Sequence, residues 1–98
     1  MSLRFRPEAR FDIIEAQAWY EERAPGLGHE FSRAVDAAIA GILRFPRACP
    51  KVHGPVRKAL LRRFPYSLLF LVEDDDIVVL ACFHHRKDPR AWAVPGLD

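Results

Sequence analysis

Six cationic side chains, Arg47, Lys51, Arg57, Lys58, Arg62 and Arg63, fall within residues 47–72 of this 98-residue chain, and no acid interrupts them. The stretch carries a local charge of +6 in a chain whose net charge is only +2. Cations at this density attract phosphates or an acidic partner and speed its arrival, or they keep a sheet edge solvated and unpaired. Both readings stand. A second group, His84-His85-Arg86, closes the apolar run "IVVLACF". A histidine beside Arg57, Arg62 or Arg63 has the chemistry of a general acid in an RNA cleft. The plainer reading is a strand-end pair that contacts a carboxylate or backbone. Adjacent histidines on a strand point to opposite faces and do not share one metal. Cys82 points with His84 and Cys49 lies in a loop, so the donors are too few for zinc. No metal and no cofactor is expected.

These groups must be held by elements, and the stretch "LLRRFPYSLLFLVEDDDIVVLACFHHR" (60–86) shows how. Three strands are expected, over 56–64, 66–73 and 77–84, joined by the tight connections "FPY" and "EDDD". Alternation places Arg57 with Arg63 on one face of the first, and Lys58 with Arg62 on the other. In the next strand Leu69 and Leu71 oppose Leu68, Phe70 and Val72; in the last, Ile77, Val79, Ala81 and Phe83 oppose Val78, Leu80 and Cys82. Both faces are therefore apolar, unlike an antiparallel sheet with one wet face. The second face is either an exposed apolar patch, which usually marks an interaction site, or is covered by something else.

Upstream, "LRFR" (3–6) reads as a short strand ending at Pro7, which opens a helix running to about Ala24. Phe11, Ile13, Ile14, Ala16, Ala18, Trp19 and Tyr20 occupy more than one side of it, as if it packed on a sheet and on another helix. Trp19 and Tyr20 read as packing residues. "PGLG" then joins it to a second helix with one stripe, Phe31, Val35, Ala38, Ile42 and Phe45. The short joint implies an antiparallel helix hairpin. Residues 46–55, with three prolines and a glycine, read as loop, and "DPRAWAVPGLD" as an irregular tail. The expected class is α+β: a short N-terminal strand, an antiparallel helix hairpin, then a three-stranded antiparallel meander.

Composition agrees with one globular domain over residues 1–98: half the residues are apolar and 29% are charged. The longest apolar run is far below the roughly 20 residues of a membrane helix. The opening "MSLRFRPEAR" has no secretory signal, and two cysteines make no disulfide scaffold, so a reduced cytoplasmic setting is expected.

The series "WYEERAPGLGHEF" followed by "RKALLRRFPYSLLFLVEDDDIVVLACFHHRKDPRAW" resembles the RelE/ParE superfamily of type II toxin–antitoxin toxins, and within it the ParE-like, or plasmid stabilisation, branch. The resemblance covers about residues 4 to 92 and implies the same order of elements. It also implies a cognate antitoxin whose C-terminal segment, disordered alone, folds across apolar and basic surface of the toxin in a hetero-oligomer. Partner-binding candidates are then Arg57, Lys58, Arg62, Arg63, Leu69, Leu71, Leu80, His85 and Arg86.

Two mechanisms divide that superfamily. The RelE branch cleaves mRNA on the ribosome without a metal, which needs a base, an acid and cations around one phosphate. Its enzymes carry arginine after the tyrosine that opens the middle strand, where this chain has Ser67. They carry a lysine pair on the preceding strand, of which only Lys58 is matched, with Leu60 in the other place. A late tyrosine is absent too, Trp92 being the nearest aromatic. If catalysis survives, Lys58, His84, His85 and Arg86 would carry it. The ParE branch catalyses nothing and is associated with trapping DNA gyrase, a type II topoisomerase. The resemblance thus implies a binding toxin, with an mRNA endonuclease or a non-toxic, degenerate member as alternatives.

Overall fold

A computed structural model describes residues 2–86. Strand β1 (Ser2–Phe5) is followed by Pro7, whose fixed φ suits the first position of helix α1 (Pro7–Arg23). Glu8 in its first turn and Arg23 in its last complement the partial charges of the helix ends. Helix α2 (Leu27–Arg44) begins after Gly26, whose φ of +88° is left-handed and costs glycine little. The Glu21 carboxylate closes the joint by accepting the N–H groups of Gly26 and Gly28, each at 3.0 Å. These are among the amides that a helix start leaves without partners. Gly28 answers a second demand: a Cβ there would stand 2.7 Å from the Gln17 carbonyl oxygen. At Gly28 the two helices are thus too close to admit a side chain.

Beyond α2 the chain makes a short 3-10 turn, Pro46–Ala48, and strand β2 (Lys51–His53), where loop was expected. The strand exists because Lys51 and His53 pair with Arg57 and Val56; its own prolines and glycine do not predict it. Strand β3 covers Val56–Leu60 and stops four residues before the expected end. Strands β4 (Tyr66–Glu73) and β5 (Asp76–His84) follow closely as expected. The sheet has the order β1-β5-β4-β3-β2, all neighbours antiparallel except β1, which lies parallel to β5. The strand, helix hairpin and meander of the expected α+β class are all present.

A β-bulge corrects the expected facing of β5. Leu69 stands opposite Ala81, but Phe70 stands opposite Val79, so Leu80 is one residue too many. Alternation is reset there. Ala81 and Phe83 join Val78 and Leu80 on one face, while Cys82 returns to the face of Ile77 and Val79.

The main core lies between the helices and the face of Ile77, Val79 and Cys82. Phe31, Val35 and Ile42 of α2 and Ala9 and Ala16 of α1 meet Leu68, Phe70, Ile77 and Val79 there. Tyr20 stacks on Phe31 at 5.4 Å and meets Phe64 edge-on at 4.9 Å, and Tyr66 lies edge-on to Phe31 at 5.2 Å. Helix α1 does contact both α2 and the sheet. It does so through Ala9, Ile13, Ala16 and Tyr20, leaving Phe11 (60% exposed) and Ile14 (64%) outside. Trp19 is about half exposed, under the Arg23 guanidinium at 4.1 Å. Phe45 leaves its stripe because the helix ends at Arg44 and the backbone turns away there, φ −140°. On the other face Val56, Leu69, Leu71, Val78, Leu80 and Ala81 form a second cluster, each less than a tenth exposed. No helix among the described residues is long and apolar enough to cross a membrane.

Candidate functional site

The cations of residues 47–63 have unequal tasks. Arg57 is half-buried, and its Nη1 donates to the carbonyl oxygens of Cys49, at 2.6 Å, and Arg47, at 3.2 Å. It ties the 46–50 segment to the sheet and is occupied by that work. Burial pushes the Cys49 thiol up from its ordinary pKa, and the Arg57 charge works against this. Lys58 stands opposite Leu69, on the face away from the helices, and its N–H donates to Pro50 O at 3.1 Å.

Arg62 and Arg63 are in no strand, which corrects the expected pairing of Arg57 with Arg63 and of Lys58 with Arg62 on alternate faces. The chain leaves β3 after Leu60 so that Phe64 can drop into the aromatic cluster. The turn puts Arg63 in a left-handed conformation, φ +71°, and leaves both arginines exposed.

The histidines separate as their adjacency requires. His84 stands opposite Tyr66, with the rings edge-on at 5.1 Å, and its Nδ1 accepts the Arg86 N–H at 2.9 Å. Burial, with Tyr20 and Cys82 adding to it, pushes the Tyr66 phenol up from its ordinary pKa. His85 turns to the other face, where its Nε2 lies 2.8 Å from the Ser67 Oγ and its N–H donates to Pro65 O at 2.8 Å. Ser67 is fully buried. Lys58 and His85 therefore share one side of the sheet, His84 lies on the other, and Arg86 is exposed in the turn beyond. Acid and base groups acting on one phosphate must each come within hydrogen-bond reach of it, and the four residues do not surround one such point.

Leu69, Leu71 and Leu80 stand together in the second cluster, buried. Trp92 and the tail from residue 88 lie outside the described residues. Among the described residues no group of three or more His, Cys, Asp or Glu could hold a metal ion.

Two clefts remain. One, of about 560 Å³, is lined by Asp12, Glu15, Trp19, Tyr66 and His84; in it the Asp12 carboxylate accepts the Cys82 N–H at 3.1 Å. The other is an apolar groove of about 620 Å³ between α2 and the end of β3. Its α2 side is Ala34, Ala38, Gly41 and Phe45; its sheet side includes Lys58, Leu60 and Arg62. Phe45 and Leu60 are 64% and 62% exposed. Sequence reasoning passed over this groove. Its signal was the 4, 3, 4 spacing of residues 34, 38, 41 and 45, muted because alanine and glycine carry little hydropathy.

A family profile described as ParE toxin of type II toxin–antitoxin system, parDE, matches residues 3–89. Toxin ParE2 of Mycobacterium tuberculosis strain H37Rv is 30% identical over 81 residues, spanning 82% of this chain and 77% of that protein. Toxin ParE2 of strain CDC 1551 gives the same figures. Among solved structures, a chain of the chromosomal ParDE TA system from P. aeruginosa superposes with a TM-score of 0.63 at 21% identity, over 86% of this chain and 95% of that one. A chain of the toxin–antitoxin complex RelBE2 from Mycobacterium tuberculosis does so with a TM-score of 0.56 at 24% identity, over 85% and 95%. At these identities the two structures bear on the fold alone, and the α+β arrangement described above is the one they share.

Proposed function

The chain belongs to the ParE toxin family of type II toxin–antitoxin systems, and from that premise we propose that it is a binding toxin. Its target is a type II topoisomerase, DNA gyrase, and it cleaves nothing itself. It acts in the cytoplasm as one domain over residues 1–98, held inactive in a hetero-oligomer by a cognate antitoxin. Arg62, Arg63 and Arg86, all exposed, meet the acidic partner, together with Lys58, His85 and the apolar residues of the adjoining surface.

The observation that carries the binding reading over an endonuclease is Ser67. It occupies the place of a catalytic arginine in the RelE branch, and here it is buried and engaged with His85. A neutral, enclosed hydroxyl supplies no charge to a phosphate in its transition state. Leu60, exposed where that branch carries its second lysine, points the same way.

The test is inducible expression without antitoxin, with translation and DNA-break signalling followed in the same cells. Growth arrest with DNA-damage signalling and intact messages is expected. Rapid loss of translation with cleaved messages would overturn the reading in favour of a ribosome-dependent endonuclease. Harmless overexpression would overturn it in favour of a non-toxic member.

A further inference from the structure

We infer that the outer face of α1 pairs with the same face of a second copy of this chain, the two helices lying parallel about a two-fold axis. Exposure and spacing define the face. Phe11 and Ile14 are 60% and 64% exposed. With Pro7 and Ala18, also exposed, they fall at steps of 4, 3 and 4 along one side of the helix, opposite the buried Ala9 and Ala16. Those steps are the apolar seam of a two-stranded coiled coil. The seam stops where the next position is Glu21, whose carboxylate is committed to the amides of Gly26 and Gly28. Large apolar side chains gathered on one solvent-facing stripe mark an interaction surface.

Charge identifies what covers it. Glu8, Glu15 and Glu22, all exposed, recur every seven residues along one flank of the seam, while exposed Arg10 and half-buried Gln17 line the other. The Arg10 guanidinium lies over the Phe5 ring, 5.7 Å from its centre, and neither Arg10 nor Glu15 is in an ion pair among the described residues. In a parallel pair each flank lies against the opposite flank of the other helix, one repeat further on. Arg10 then meets the second copy's Glu15, and Gln17 the second copy's Glu22. Two-fold symmetry makes each contact twice. An antiparallel pair would set the acidic flank against itself. A wholly cationic segment of another protein would suit the glutamates but repel Arg10. From Pro7 to Ala18 the seam covers about 16 Å of axis. So short an interface belongs with the small, transient ones, and the pair dissociates on dilution.

The test is sedimentation equilibrium of the purified full chain, freed of antitoxin, across a wide range of concentration at low and high salt. A monomer–dimer equilibrium is expected. Ile14→Ser, at an exposed position and checked for folding by circular dichroism, should weaken dimerisation at least about tenfold, as loss of an interface anchor does. Arg10→Glu and Glu15→Arg each set like charges across the seam and should weaken it most at low salt. Combined in one chain, they restore opposite charges and should return affinity to within about threefold of the wild type. A chain that stays monomeric throughout would overturn the inference, and so would a dimer indifferent to Ile14→Ser. A charge-swapped chain no tighter than either single variant would overturn it too, because the two flanks would then not meet. A monomer whose affinity for the co-encoded antitoxin falls in Ile14→Ser would assign the face to that partner instead.

Discussion

Ser67 and His85 are joined on the sheet face turned away from the helices, Oγ to Nε2 at 2.8 Å, with the serine fully buried and the histidine exposed. With the His85 N–H bonded to Pro65 O, this contact fastens the start of β4 to the turn that follows β5. The two residues therefore have different tolerances.

His85→Ala leaves the enclosed Ser67 hydroxyl without its side-chain partner and should cost about 1–2 kcal/mol. Ser67→Ala removes the buried polar group itself, while the exposed imidazole turns to water, and should cost less than about 1 kcal/mol. Urea unfolding midpoints, at unchanged m, compare them. Equal losses would contradict the asymmetry.

The helix hairpin depends on Gly28 having no side chain. Gly28→Ala forces a Cβ to 2.7 Å from Gln17 O and should lower stability by about 1–3 kcal/mol. Glu21→Ala frees the N–H groups of Gly26 and Gly28, at about 1 kcal/mol. Thermal unfolding of the two single variants and the double should show less than additive loss, since both changes loosen one joint.

Asp76 couples the edge strand to pH. Its carboxylate accepts the Ser2 Oγ–H at 2.6 Å, and this bond above all holds its pKa below the ordinary value. A carboxyl lowered in the folded state stabilises above its unfolded pKa, and that contribution is lost as pH falls through the lower, folded value. Titration of the Asp76 carboxyl by NMR should move upward in Ser2→Ala. No movement would remove Ser2 as the cause.

Neighbouring arginines should separate by task. Arg57→Met breaks two bonds to the 46–50 segment and should cost about 1–2 kcal/mol. Arg63→Gly relieves a left-handed φ and should leave stability within about 0.5 kcal/mol of the parent or above it. Chemical denaturation of both decides; a costly Arg63→Gly would mean that its side chain holds the bend.

Much of the fold was legible because its causes are local. The stripe Phe31, Val35 and Ile42 required an amphipathic helix, Pro7 and "PGLG" bounded the hairpin, and the apolar runs around "EDDD" required paired strands. The separation of His84 from His85 also followed from strand geometry alone. The groove at Gly41, the service of Arg57 to its neighbouring loop and the engagement of Ser67 were not legible. Each depends on a partner eight or more residues away, or on open space.

By itself the sequence determined the α+β class, the order of its main elements, the family and the uneven distribution of charge. These depend on residue type and on spacing along one chain. Tertiary structure alone decided that Leu80 is an extra residue that resets the faces of β5, and that β3 releases Arg62 and Arg63 so that Phe64 can be buried. It also decided that β2 exists, by pairing with β3, and that Phe45 ends beside an apolar groove. Register, burial and vacancy are relations between segments brought together by folding, and no periodicity within one segment encodes them.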